Sequence, residues 1–476
     1  MKWEYAPTGL SDLVVFFVRR IFTLLKPGSF TAFITTNSIK DGDVRKDGLE
    51  QVLAQGGEIN MAVRGIKWPG RANLVVSLVA LHRGPWTGRR LLDAIEVTAI
   101  SAFLDPELDQ NRPIELRDER PSLLIGTHYL GDGFVIPASE ALRIGDSDPD
   151  CESILAPLLN GDELNNMPDQ VSGRWIICFW DWPRERAAQH SVAYNIVESL
   201  VQPARQLAKE QRLRAKWWQF KRPYTEIRTK SQGLKHVFAA ALTTKHLSFS
   251  AVPSQVICTH AIAVFTTDRW DLYASVQSTL HEVWARKYSG ALETRLRYSP
   301  SDCFETFAFP EGLSKTSNPG LATLGQRYHE HRKSLMLSLW LGLTDIYNLF
   351  HARDLSPAKV AKVSKKSADE SERGHQGLLE LRRLHIELDL AIRDGYGWQN
   401  LPLDHDFYEV ETLAENDRLR YTISPAARKE VLRRLLALNH ARAEAEKAAA
   451  KPTKPRRGRK ASAPVGEHVE MFTKED

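Results

Sequence analysis

Residues 11–81 alternate helix and strand, and no other feature limits the possible folds as tightly. Ser11 to Lys26 carries apolar residues at helical spacing and stops at the turn Pro27-Gly28. Phe30 to Ser38 follows as a short, β-rich strand whose last residues, Asn37 and Ser38, are polar. A helical segment is predicted near 45–55, then strands over 58–63 and 74–82, with the loop Lys67-Trp68-Pro69-Gly70-Arg71-Ala72 between those strands. Such alternation predicts a doubly wound α/β sheet. Open sheets of that kind place ligands beyond the carboxyl ends of their strands, and Asn37 and Ser38 stand at one such end.

The chain of 476 residues is long enough for two or three domains with cores of their own. A hydrophobic content of 42% with 26% charged residues is ordinary for a soluble globular protein. The apolar stretch at 13–25 is interrupted by Arg19-Arg20, and no run reaches the length that a membrane span needs. The first residues also lack the order of a signal peptide. Cys151, Cys178, Cys258 and Cys303 are scattered without a CxxC pair. That predicts reduced core thiols in a cytoplasmic protein, and it supports neither a zinc site nor a disulfide frame.

Pattern divides the chain into 1–84, 85–315, 316–446 and 447–476. The second segment mixes short strands, turns and aromatic clusters. Its Tyr129-Leu-Gly131-Asp-Gly133 is a weak match to a phosphate loop, because no third glycine or helix follows. Leu159 to Asn165 reads as a turn with exposed acids, Arg174 to Pro183 as an aromatic strand, and 184–218 as one long charged helix. The third segment is helical over 322–350, 371–395 and 425–445, with a surface loop at 352–370. The fourth is a disordered basic tail, with Lys451, Lys454, Arg456, Arg457, Arg459 and Lys460 crowded together. It supplies much of the net charge of +5, either as a solvated tail or as an arm that holds phosphates by charge.

Taken in order, several segments resemble the MmeI-like γ-class DNA adenine methyltransferases, relatives of the type IIG restriction–modification proteins. Asp12-Leu-Val-Val-Phe-Phe, Lys26-Pro27-Gly28 and Phe33-Ile-Thr-Thr-Asn37-Ser38 are similar to the later methyltransferase motifs of that family. Trp68-Pro-Gly-Arg-Ala72, followed by Val75-Val76-Ser77, resembles the segment lining its target-base pocket. Asn160-Gly-Asp-Glu-Leu-Asn165, Arg174-Trp-Ile-Ile and Lys216-Trp217-Trp218-Gln219-Phe220 resemble its target-recognition region. Gln277-Ser278 through Trp284-Ala285 and Ser301 through Pro310 do so as well. Leu343-Thr344-Asp-Ile-Tyr347-Asn348, Leu388-Asp389 and Tyr396-Gly-Trp398 are similar to its helical spacer.

The resemblance covers nearly all of 10–445. It implies the rear half of a class I methyltransferase domain (partly Rossmann-like) over 1–84, an α+β target-recognition domain over 85–315, and a helical carboxyl-terminal region over 316–446. It also implies S-adenosylmethionine as cofactor and double-stranded DNA as partner. The family's glycine-rich cofactor turn and its Asn-Pro-Pro-Phe/Tyr motif are not found in this sequence, and Asn318-Pro319-Gly320 is no substitute. No PD…ExK nuclease arrangement is found either. The expectation is that a separate or lost amino-terminal half supplies donor site and catalytic motif. No catalytic residue is then assigned in this chain. The strands at 30–36, 58–63 and 74–82 would show an unpaired edge and apolar faces to that partner.

Methylating an adenine requires the base to leave the stack and enter a pocket. Asn37 and Ser38 either line that pocket or simply cap the strand, and Trp68 and Arg71 offer a stacking face and a phosphate contact or a structural loop. Arg205, Arg212, Lys216 and Arg222 read as a phosphate rail on a cationic helix. Arg228, Lys230, Lys235, Thr243, Thr244, Lys245, His246, Ser248, Gln255 and Arg269 are candidates for base or phosphate contact, because Arg pairs with guanine and Gln with adenine in the major groove. His281 and Trp284 read as core beside the groove. Three functions stay open: the recognition part of an adenine-N6 methyltransferase, a non-catalytic specificity subunit, or an inactive remnant.

Overall fold

The structure, a computed structural model, describes residues 11–71, 74–106, 112–117, 120–292, 295–410, 413 and 417–449. Ala72 and the basic tail from residue 450 onward lie outside the described residues. Helix α1 (Leu13–Leu24) buries Val15, Phe16, Val18 and Phe22. The chain reverses at Lys26-Pro27-Gly28, where Gly28 takes a φ of 78° that a side chain would strain, and its N–H donates to the Arg83 carbonyl at 2.8 Å. Strand β1 (Phe30–Thr36) then runs into a 3-10 turn at Asn37–Lys40. The predicted helix at 45–55 is two short helices, α2 (Gly42–Asp47) and α3 (Leu49–Ala54), broken at Gly48. Strands β2 (Gly57–Lys67), β3 (Val75–Arg83), β4 (Arg90–Leu92) and β5 (Ile95–Val97) complete the sheet.

The strand order is β1-β3-β2-β4-β5. A crossover through α2 and α3 makes β1 and β2 run in the same direction, yet β3 lies between them and antiparallel to both. Only β2 and β4 pair in parallel in this sheet. The expected doubly wound sheet is therefore a mixed one. The physical reason is the short link from Lys67 to Val75, which can only return antiparallel, since a parallel connection needs a dozen or more residues. Phe22, Leu49, Val52, Ile59, Val79 and Leu81 form its core.

The middle of the chain packs three further sheets. An antiparallel sheet joins Leu123–Ile125, His236–Ala241, Ser250–Pro253 and Ile262–Phe265. A second holds Val135–Pro137, Leu155–Leu159, Arg174–Ile177 and Ile257–Cys258. A third is small: Thr243–Thr244, Gly290–Leu292 and Arg295–Arg297. The single helix expected at 184–218 is three pieces, Arg184–Ala187, Ser191–Gln206 and Gln211–Ala215. The breaks let the chain fold back and bury Trp217, Trp218 and Phe220 against Tyr194 and Phe134. The supposed phosphate loop is a packing device, because a side chain at Gly133 would collide with Leu200. Nor is Asn160–Asn165 an acidic turn: Asn160 and Glu163 form a reciprocal capping box on Gly161–Asn166, and Glu163 also holds Arg174.

Helices Pro319–Leu339, Leu343–Phe350, Ala368–Gly395 and Pro425–Ala449 follow the predicted helical stretches. The interval 352–370 is not a loop, because Ser356 and Ser367 cap helices, at Pro357–Ser364 and Ala368. One core runs from Phe238 and Phe265 through Trp284 to Leu388 and Leu435, so these helices and the antiparallel sheet share it. Buried Arg332 ties the two layers, donating to the Ser250 hydroxyl and the Phe249 carbonyl from one helix. The four cysteines are free and buried. No helix among the described residues is long and apolar enough to cross a membrane.

Candidate functional site

A cleft of 1330 Å³ separates the 3-10 turn and α2 from the sheets of the middle segment. Ser38, Asp41 and Lys46 line it from the first side. Arg222, Thr243, His260 and Arg297 line it from the second. Lys46 spans the two, its ammonium 3.2 Å from the Asp302 carboxylate. Behind α2, Arg45 is buried, pairs with Glu50 and stacks 3.7 Å from the centre of the Phe103 ring. Burial lowers the pKa of its guanidinium to about 10. Arg112 shares Glu50 and also lines the cleft, so both guanidinium groups are already paired with a carboxylate.

Arg222 and Arg297 differ from these. Both are exposed to the cleft, and no described residue gives either guanidinium a hydrogen bond or an ion pair. The backbone holds them firmly. The Arg222 N–H donates to the His128 carbonyl at 3.1 Å, and its own carbonyl accepts from the Thr127 hydroxyl at 2.5 Å. Arg297 sits on the central strand of the three-stranded sheet, in register with Thr243 on one side and Gly290 on the other. A guanidinium presented from a rigid strand into an open groove can make a bidentate contact with a phosphate or a guanine edge.

Next to Arg222, the rings of His128 and His260 lie 4.6 Å apart. Burial first, and then the neighbouring His260, Lys221 and Arg222, hold the His128 imidazole below its usual range. The cleft is not uniformly basic: Asp41, Glu115, Glu226 and Glu305 also line it. Glu305 is raised by burial and by Glu115 beside it. Such a surface favours a few placed contacts over a broad electrostatic field.

Of the candidates read from the sequence, the structure brings Ser38, Arg222 and Thr243 to the cleft wall. Asn37 is adjacent, but its amide oxygen accepts from the Ser77 hydroxyl at 2.8 Å. Trp68 is half exposed in the loop between β2 and β3, where its backbone N–H donates to the Leu74 carbonyl, and neither it nor exposed Arg71 lines the cleft.

Two candidates are corrected outright. Arg205 is 4% exposed and donates to the carbonyls of Tyr129, Leu130, Trp217 and Gln219. His246 is buried between Asn348 and Arg420, and burial keeps it neutral. With Arg205 inside and the helix broken at 207–210, the expected phosphate rail does not form.

The remaining candidates are scattered. Arg212, Lys216 and Gln255 are exposed away from the cleft. Arg228 stacks 4.0 Å from the Trp180 ring centre, Lys230 bonds Ser122 and Glu226, and Lys245 pairs with Asp417. His281 and Trp284 are fully buried, as their reading as core requires. Arg297 is a functional candidate that sequence reasoning missed, although Arg295-Leu296-Arg297 carries a signal. Period-two alternation puts both arginines on the face opposite a buried leucine.

The far wall of the cleft has known relatives. The family described as MmeI, target recognition domain, matches residues 110–311. The solved structure of the type IIL restriction–modification enzyme MmeI in complex with DNA superposes with a TM-score of 0.61 over 91% of this chain and 52% of that one. At 17% identity, that likeness is one of fold. The DNA methyltransferase A of Bacillus subtilis (strain 168) is 22% identical over 317 residues, 60% of this chain and 33% of that protein. The chain thus spans about a third of one relative's length and about half of the other's. The segment that carries Arg222 and Arg297 is thus similar to the MmeI target recognition domain over residues 110–311.

Proposed function

We propose that this chain is the DNA-recognition part of a site-specific DNA adenine-N6 methyltransferase of the restriction–modification type. The observation that carries the reading is the cleft itself: a recognition-family domain faces α2 and the strand end of β1 across it, with Arg222 and Arg297 uncommitted among the described residues. Duplex DNA lies in the cleft in this reading. Arg222 holds a backbone phosphate, and Arg297, on its strand, reads a base edge in the major groove. The target adenine leaves the stack toward the end of β1, where Ser38 lines the wall.

Methyl transfer also needs S-adenosylmethionine, and the described residues do not fit it. β1 runs straight into a 3-10 turn rather than a glycine-rich loop and helix, and the Asn37 amide oxygen is already bonded to Ser77. Donor site and catalytic motif are therefore assigned to polypeptide other than these residues. An open sheet edge supports such a partner. Among the described residues β1 pairs on one side only, its Phe30 and Ile34 are 68% and 63% exposed, and α1 exposes Leu13, Phe17 and Leu24. A non-catalytic specificity subunit is the second reading, favoured by the engagement of Asn37 with Ser77 at the strand end where a base would be held.

The test is methyl transfer from tritiated S-adenosylmethionine to duplex DNA, with this chain alone and with a methyltransferase half carrying the donor motifs. Transfer in the mixture alone supports the split enzyme. Transfer by the chain alone overturns it, and sequence-selective DNA retention without transfer in either case points to the specificity subunit.

A further inference from the structure

A second recess, of 290 Å³, shares no lining residue with the cleft. It opens between the end of helix Ala368–Gly395 and the face of helix Pro425–Ala449 that carries Arg433, Arg434, Ala437, Leu438 and Arg442. Tyr396 and Trp398 enter it from the turn after the first helix. Their rings stack with centres 4.4 Å apart and planes 15° from parallel. The pair is fixed in place, because the Tyr396 hydroxyl donates to the Ala308 carbonyl at 2.7 Å. Arg434 lies 5.7 Å from the Trp398 ring centre and is oriented by Asn400 at 2.9 Å and by Glu430. Arg433 makes a two-pronged contact with the same Glu430 carboxylate.

Arg442 is the unusual member. It is half-buried, and no described residue supplies its guanidinium with a hydrogen bond or an ion pair. Glu311 is the single acid among the lining residues, against three guanidinium groups. An incoming anion would give the Arg442 guanidinium the charge-assisted hydrogen bonds that no described residue supplies. A rigid aromatic pair beside guanidinium groups accepts a flat ring by stacking, whatever its sequence identity. The two properties together select a ligand with a planar body and an anionic end.

We infer that this recess binds one nucleoside monophosphate unit, with the base against the Tyr396–Trp398 wall and Leu438, and the phosphate against Arg442. Its volume is close to the lower limit of small-molecule sites, enough for one nucleotide and too small for two. The unit comes either as a free mononucleotide or as the terminal nucleotide of a strand. The recess shares no lining residue with the cleft, so substitutions in one leave the lining of the other intact.

Calorimetric titration of the full chain with deoxyadenosine monophosphate, deoxyadenosine and inorganic phosphate tests it. The nucleotide is expected to bind saturably and more tightly than either fragment. Arg442→Gln and Trp398→Leu are each expected to weaken it by about tenfold, the scale of one charge-assisted contact or one stacked base. Arg297→Ala, in the cleft, is expected to leave it unchanged. Circular dichroism of each variant separates loss of binding from loss of fold, and Arg442→Lys is expected to keep part of the affinity through its charge. A 5′-phosphorylated oligonucleotide that competes names a strand end as the source, and one that does not names the free nucleotide. Absence of saturable nucleotide binding, or binding that both variants leave intact, overturns the inference. So does inorganic phosphate binding as tightly as the nucleotide in the unsubstituted protein.

Discussion

Arg205 donates to four backbone carbonyls inside the middle segment, while Arg222 and Arg297 face the cleft with no protein partner among the described residues. The three arginines are thus expected to fail in different ways. Arg205→Met leaves buried acceptors unsatisfied and should cost about 2–4 kcal/mol of stability, seen as a lower melting temperature with unchanged affinity per folded molecule. Arg222→Ala should weaken binding to all duplexes alike and make the salt dependence shallower by about one unit of log–log slope. Arg297→Ala should instead relax the selected sequence at one base pair, where a bidentate contact contributes about 1–3 kcal/mol of discrimination. Binding selection on randomised duplexes, repeated at two salt concentrations, distinguishes them. A uniform loss in the Arg297 variant would remove it from base reading.

At the scale of elements, β1 and α1 leave Leu13, Phe17, Leu24, Phe30 and Ile34 exposed. An edge strand with apolar residues on its outer face is a template for pairing, and soluble proteins usually blunt such edges with charge. Ile34→Lys should therefore reduce self-association of the isolated chain without unfolding the sheet, since that side chain is not in the core. Light scattering and thermal melting check this. The same substitution should block methyl transfer in the mixture with a donor half, if β1 is where that half docks. Most of these elements are legible in the sequence: α1, β1 and β3 stand where periodicity and the Pro27-Gly28 turn place them. Two departures have different causes. The helix expected at 184–218 breaks because Trp217, Trp218 and Phe220 are drawn into a distant core, and Pro357–Ser364 forms because Ser356 caps it. Long-range burial decides the first, and a short local capping signal decides the second.

Over the whole molecule, histidine burial sets the response to acid. His246, His281, His329, His351 and His385 are all pushed below their ordinary range by burial, His281 to about 3. Above the unfolded value near ~6.5 both states are neutral, and the fold keeps its full stability. As pH falls below that value the unfolded chain takes up protons that the folded chain refuses. Each histidine then removes up to about 1.4 kcal/mol per pH unit. Asp389 adds to this at lower pH. Burial opposes its charge, but His385, His405 and the Thr279 N–H keep it ionised, so its contribution is lost only on further acidification. Melting temperature should fall steeply between about pH 6.5 and 5. A flat profile over that interval would show that these imidazoles are solvated.

The sequence alone determined the alternation of the first sheet, the helical character of the carboxyl-terminal region and the resemblance to a recognition domain, because periodicity, turn chemistry and ordered motifs are local properties of the chain. The tertiary structure alone decided which of three arginines face the cleft. Arg205, Arg222 and Arg297 are the same residue type in similarly polar stretches. Only folding places one against four carbonyls and leaves the other two facing a cleft, since burial and hydrogen bonding depend on residues up to 95 positions away.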